Sequence, residues 1–410
     1  MNEAELTDSK MLAKDAKLML VLNGLFAFSV TLSNVFVNTY LWKIGTNFRD
    51  VAMYNLMNYV MIAITFTFAG WLMGKWGRTR IFQLGVVLNA LFFLYILYLQ
   101  EDAVQNVWQA GMLQGIASGF YWMACNVLFL DVTHQRNRDY FFGLNGFLTS
   151  GAGILAPLLS GYVIGLYHDL SGYQIVFLVS LLLFCAVAVA SFWIDKHKYP
   201  SEYRLVEALV ESVRCRPWKM AMLATFAFGM REGIFAFIVF LLVYIATGSE
   251  VSLGWFAALI SAVGMAAYYG VGKWIATGTR NRMLVIGTMV LVAASFVLAL
   301  DINRYTLLIF GLLNAIFTPF FIVPFNTNIY NAMTRAHSQQ LSQARTEYMV
   351  VRELALNAGR VLSVGAFMLF FDGSNLFMLK LVLIAASLAL IASCWFMNGF
   401  GRETAPASEE

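Results

Sequence analysis

The sequence predicts an all-α membrane protein: twelve transmembrane helices arranged as two pseudo-symmetric six-helix bundles. Three observations predict it: an apolar composition, twelve apolar runs of spanning length, and short sequences that recur half a chain apart. Of the 410 residues, 60% are hydrophobic and 12% are charged, and mean hydropathy is +0.70. Soluble domains average roughly 25% charged residues. So few charges cannot solvate a surface this large, and most of it must face lipid. The net charge of +4 is modest, and the basic residues form no stripe suited to nucleic acid. Cys125, Cys185, Cys215 and Cys394 share no metal or redox spacing. Three of them sit in apolar runs, where cysteine acts as a small hydrophobe. Met1 to Lys17 is polar and mixed in charge, unlike a cleavable signal peptide.

A membrane helix needs about 20 mostly apolar residues. In the first half such runs fall at 18–42, 51–73, 81–99, 105–130, 141–166 and 173–194. In the second they fall at 218–245, 252–275, 283–300, 305–330, 346–371 and 375–398. Pro157, Pro319 and Pro324 lie inside runs, which membrane helices tolerate when neighbours satisfy the freed backbone groups. Basic residues set orientation. Alternate breaks between runs hold twenty of them, while the opposite side has only Lys43, Arg49, Arg304 and Lys380. With twelve spans, this bias places both termini in the cytoplasm of a cell that carries the chain in its membrane.

Phe26-Ala27-Phe28 recurs as Phe226-Ala227-Phe228, and Gly74-Lys75-Trp76 recurs as Gly272-Lys273-Trp274. Asn126 recurs as Asn326, each six residues after a phenylalanine. Three matches in register point to duplication of about half the chain. The longest hydrophilic stretch, Asp195 to Lys219, falls midway. Residues 195–217 therefore read as a cytoplasmic linker between bundles at 1–194 and 218–410. Within it, Leu205, Val206, Leu209, Val210 and Val213 share one helical face. The segment is either an amphipathic helix on the membrane surface or a loose tether.

The loop after the second run reads Gly70-Trp71-Leu72-Met73-Gly74-Lys75-Trp76-Gly77-Arg78-Thr79-Arg80. It resembles the signature G-x-L-A-D-R-x-G-R-R of the major facilitator superfamily, and the resemblance in organisation covers nearly the whole chain. Gly70, Leu72, Lys75, Gly77 and Arg78 fit; Gly74 replaces the signature's acid. The resemblance implies that this loop acts as a conformational switch, although its charge relay lacks that acid. Asp131 ends the fourth run and is expected to pair with Arg136 or Arg138. The family's antiporter motif survives only as Ala156-Pro157-Leu158-Leu159-Ser160-Gly161, and the arginine of many proton antiporters is Gly111 here.

Charges inside spans are costly and mark function by default. Arg231 and Glu232 lie about 20 Å along their helix from Lys219, and Arg360 lies a similar distance from Arg345, so both positions are near mid-membrane. Glu353, Asn357 and Arg360 share one helical face. The resemblance implies that the seventh and eleventh spans are neighbours. A Glu232–Arg360 contact is then expected, with Arg231 and Glu353 extending it. The network either couples transport to a proton or only fixes packing. Glu347 and Arg352 lie nearer the cytoplasmic end, within reach of water.

The first half and the tenth span supply neutral polar groups. Asn34 and Asn38 lie on the first span; Tyr121, Trp122 and Asn126 lie on the fourth; Asn326 lies on the tenth. The family places these spans around a central cavity, where such residues meet substrate or bond between helices. Tyr268 and Tyr269 are further aromatic candidates for the cavity wall. There is no G-x-x-x-x-G-K-[ST] loop, no HExxH and no metal cluster. The expectation is a secondary transporter rather than an enzyme, monomeric and without a cofactor. It would move a small, amphipathic organic solute by proton-coupled efflux; an uptake permease or lipid-type flippase for an anionic molecule is the alternative.

Overall fold

The computed structural model describes residues 12–133, 137–167, 169–194, 203–274, 279–336, 345–371 and 375–401. Six long helices form the first half: α1 (Lys14–Gly45), α2 (Phe48–Trp76), α3 (Arg78–Leu99), α4 (Val107–Asp131), α5 (Arg138–Gly165) and α6 (Ser171–Ala190). A short helix α7 (Leu205–Arg214) follows. Six more complete the chain: α8 (Arg216–Thr247), α9 (Glu250–Trp274), α10 (Arg280–Leu300), α11 (Arg304–Ala336), α12 (Arg345–Phe370) and α13 (Leu376–Gly401). Among the described residues there is no strand. Over their described residues, eleven of the twelve long helices are long and apolar enough to cross a membrane.

The first helices of the two halves, α1 and α8, are each 32 residues long. Pro157 lies inside α5, and Pro319 and Pro324 lie inside α11, without ending either helix. In the first half α4 packs against α2 and α3, and α1 against α5 and α6. In the second half α8 packs against α12 and α13, and α11 against α9 and α10. The halves meet where α2 packs on α12 and α5 on α9.

Glycines set how closely these helices approach. A Cβ on Gly111 would collide with the carbonyl oxygen of Tyr54, and one on Gly115 with that of Asn58, so α2 and α4 touch backbone to backbone. This explains why Gly111 departs from the antiporter pattern: no arginine fits there. In the second half Gly229 abuts the carbonyl of Leu356, Gly359 that of Phe226, and a Cβ on Gly233 would lie 2.7 Å from Arg360 Cα.

The linker helix forms, and Ala208 is its buried residue. Its expected apolar face is split. Leu205 packs on the core, while Val206, Leu209, Val210 and Val213 are exposed. Just before the helix, the Tyr203 hydroxyl donates to Thr67 O on α2 at 3.1 Å. The Arg204 backbone N–H donates to Glu347 Oε1 on α12 at 3.1 Å. Glu347 is therefore buried against the linker rather than reaching water. The linker ties α2 to α12 on one face of the bundle, here called the linker face.

Candidate functional site: a central cavity with a buried ion cluster

Glu232 and Arg360 meet as their sequence positions predict. The Arg360 Nε and Nη2 groups both donate to Glu232 Oε2, at 3.0 and 2.7 Å. Arg360 Nη1 lies 3.8 Å from Glu353 Oε1. Asn357, fully buried, joins them: its Nδ2 donates to Glu353 Oε1 at 3.0 Å, and its Oδ1 accepts from Arg360 Nη1 at 2.9 Å. The close approach at Gly229, Gly233 and Gly359 brings α12 near enough to α8 for this. Tyr59 of α2 completes the surround. Its ring lies 5.2 Å from the guanidinium, and its hydroxyl donates to Gly233 O at 3.3 Å.

Arg231 does not extend this cluster. Successive helical side chains point about 100° apart, so a neighbour of Glu232 faces elsewhere. Arg231 is buried, lies over the Phe235 ring at 4.8 Å and donates to Asn314 Oδ1 on α11.

A cavity of about 480 Å³ borders the ion cluster. Asn34, Asn38, Trp122 and Asn126 line it, as expected, together with Glu232, Glu353 and Arg360. Asn38 Oδ1 accepts from Asn55 Nδ2 at 2.8 Å. Three expected wall residues are elsewhere. Tyr121 is fully buried, stacked on Phe26, with its hydroxyl donating to Asn23 Oδ1 at 2.7 Å; it belongs to packing between α1 and α4. Asn326 accepts from Arg352 Nη2 at 3.2 Å, so the repeat equivalent of Asn126 binds a cation on α12 instead of facing the cavity. Asn357 is spent within the ion cluster. A second cavity of about 450 Å³ lies between α5, α8, α9 and α11, and Phe240 lines both. Tyr268 lines this second cavity; Tyr269 is exposed outside it.

The bundle is closed on the face opposite the linker. Lys43 Nζ of α1 lies 2.8 Å from Glu250 Oε1 of α9, and the same oxygen accepts from the Tyr173 hydroxyl at 3.0 Å. The rings of Phe48 and Phe371 meet at 5.2 Å. Gly254 abuts the carbonyl of Pro157, and a Cβ on Gly161 would lie 2.8 Å from Glu250 O. Along the same stripe of α5 toward the linker face, Gly146 and Gly143 have nothing within 4 Å of where a Cβ would be. The two helices therefore touch at the closed face and part toward the linker face, beside the smaller cavity.

The signature loop is compact. Gly77 has φ +87°, a conformation that favours glycine, and ends α2 while starting α3. Arg78 donates to both carboxylate oxygens of Asp131. Arg136 and the Arg138 side chain, the expected partners of Asp131, lie outside the described residues, as do all four histidines. Lys75 Nζ lies 3.8 Å from the Trp71 ring centroid. Gly70 faces Tyr203, whose ring would lie 2.9 Å from an added Cβ. Sequence reasoning missed Glu250 and the docking role of Tyr203. Their partners lie on other helices, so no local spacing marks them.

The sequence model of the Major Facilitator Superfamily matches residues 19–344. The chain belongs to this superfamily. A curated relative, uncharacterized protein YqgE of Bacillus subtilis (strain 168), is 37% identical over 351 residues, covering 86% of this chain and 81% of its own. The nucleoside transporter NupG superposes with a TM-score of 0.71 at 9% identity, covering 95% of this chain and all of NupG. A bacterial homologue of the iron transporter ferroportin, in an inward-facing state, gives 0.69 at 15% identity, covering 94% and 98%. At such identities these structures establish the fold alone. This superfamily member is thus a multi-pass membrane transporter and not an enzyme.

Proposed function

We propose that this superfamily member is a proton-coupled secondary transporter that expels a small amphipathic organic solute. It acts as a monomer in the cell membrane, with both termini cytoplasmic. The observation that carries this reading is the Glu232–Arg360–Glu353 cluster on the wall of a cavity closed at one face. Two carboxylates share one guanidinium, leaving a net charge of −1 until one of them takes a proton. A bilayer makes such a charge costly, so its protonation is tied to which face the cavity meets. The amide-lined cavity and its aromatic neighbour, joined at Phe240, support an amphipathic solute. The parting of α5 from α9 toward the linker face, which the basic bias makes cytoplasmic, supports loading from inside.

In this mechanism residues 1–194 and 218–410 rock against each other about the site, with 195–217 as the tether. The loop bearing Gly70, Lys75, Gly77 and Arg78, with Asp131, tracks the movement. Proteoliposomes with an imposed pH gradient test the coupling. Glu232→Gln and Glu353→Gln are expected to abolish proton-driven accumulation. Wild-type accumulation in both variants rejects proton coupling at this cluster, and transport insensitive to an uncoupler favours facilitated movement.

One observation favours the second reading. Arg231 Nε is buried without a partner, and Phe235, Phe310 and Asn314 around it line the smaller cavity. That group suits an anionic solute, taken up or flipped. Inhibition of flux by organic anions, lost in Arg231→Met, would support it.

A further inference from the structure

The larger cavity has more hydrogen-bond acceptors than its own walls satisfy. The side-chain oxygens of Asn58, Asn89 and Gln114, and the hydroxyl of Tyr54, are buried with no partner. All four residues line the cavity. Tyr54, Asn89 and Gln114 are more than nine-tenths buried. Two of the amide nitrogens are already engaged: Asn89 Nδ2 donates to Gly85 O at 2.8 Å, and Gln114 Nε2 to Ser118 Oγ at 3.2 Å. Their oxygens remain for whatever enters. The contacts at Gly111 and Gly115 hold α2 rigidly on α4, and Gly85 abuts the backbone of Tyr121, holding α3 there as well. This acceptor wall is therefore preorganised rather than adaptable.

The facing wall adds charge. Both hydrogen bonds from Arg360 to Glu232 land on Oε2, and the Glu232 side chain is 35% exposed. The other oxygen is available to the cavity. Among the described residues, Glu232, Glu353 and Arg360 are the only charged ones lining it, with a net charge of −1. Arg231 does not line this cavity; it lies over Phe235 and donates to Asn314.

We infer that the larger cavity binds a solute bearing a protonated primary amine. The ammonium gives one hydrogen to Glu232 and its other two to oxygens among Asn58, Asn89 and Gln114. An ammonium group offers three donors and no acceptor, the complement of this wall. A quaternary ammonium has the charge without the donors, and a carboxylate has the wrong sign. The apolar remainder of the solute passes Phe240 into the aromatic cavity. The inference rests on the amphipathic-solute reading and sharpens it: ammonium and proton compete for one carboxylate, which makes exchange obligatory.

Equilibrium binding to the purified full chain in detergent tests this with three probes that share one tail: hexylammonium, hexyltrimethylammonium and hexanoate. Hexylammonium is expected to bind about tenfold more tightly than hexyltrimethylammonium, the scale of one or two charge-assisted hydrogen bonds. Hexanoate is expected not to compete. Glu232→Gln should weaken hexylammonium by about tenfold. Gln114→Met keeps the side-chain length and removes the acceptor. It should weaken hexylammonium several-fold while leaving hexyltrimethylammonium unchanged. Equal affinity for the two cations, preferential binding of hexanoate, or no binding of any probe overturns the inference. The assay needs no gradient. Selective amine binding with uncoupled flux would therefore reject the proton coupling and leave the ligand assignment standing.

Discussion

Lys43 and Glu250 sit 207 residues apart in sequence and 2.8 Å apart in space, joining the first half to the second at the closed face. Tyr173 and Tyr244 converge on the same carboxylate. A partly buried ion pair of this kind contributes about 1 kcal/mol, enough to shift an equilibrium between closed and open faces roughly fivefold.

Lys43→Ala or Glu250→Gln should therefore open this face more often. Asn38→Cys, in a background with Cys185 and Cys215 replaced by serine, reports it through labelling by an impermeant thiol reagent from that side. Labelling several-fold faster than in the parent is expected. An unchanged rate would show that the aromatic and glycine contacts hold the face alone.

Gly254→Leu should destabilise the fold by about 1–3 kcal/mol, because its side chain collides with the Pro157 carbonyl. Gly146→Leu, on the parted segment of α5, meets nothing within 4 Å and should leave Tm unchanged in detergent. Equal Tm losses in the two would contradict the splayed arrangement of α5 and α9.

Arg360→Met leaves the half-buried Glu232 without its cation and should cost about 1–3 kcal/mol of stability. Adding Glu232→Gln should recover much of that loss. If the double variant is stable and binds solute yet shows no proton-coupled flux, the pair serves coupling. If it retains coupled flux, the pair serves packing alone.

Gly70→Leu should push Tyr203 off α2 and expose the linker to trypsin at Arg204 and Arg214. Tyr203→Ala in the same chain removes the collision, so its further effect should be small. Cleavage in Gly70→Leu no faster than in the parent would show that Glu347 alone anchors the linker.

Much of the fold was legible because its signals are local. Apolar runs of spanning length, the basic bias and the recurrence of Phe26-Ala27-Phe28 need no knowledge of partners. The Glu232–Arg360 contact was legible for a related reason: two opposite charges near mid-membrane on neighbouring helices have few alternatives. Tyr121 and Asn326 were misread because helix membership does not reveal which way a side chain faces. The repeat placed Asn126 and Asn326 at equivalent positions, yet one lines a cavity and the other holds Arg352.

By itself the sequence determined the helices, the duplication, the signature loop and the presence of ions within the second half, since each follows from composition and spacing along one chain. Tertiary structure alone decided that Arg231 leaves the cluster, that Asp131 receives Arg78, that Lys43 meets Glu250 and that α5 and α9 part toward the linker face. Those outcomes depend on the rotation of each helix, about 100° per residue, and on how closely glycines let two backbones approach. Neither quantity is written in any one helix.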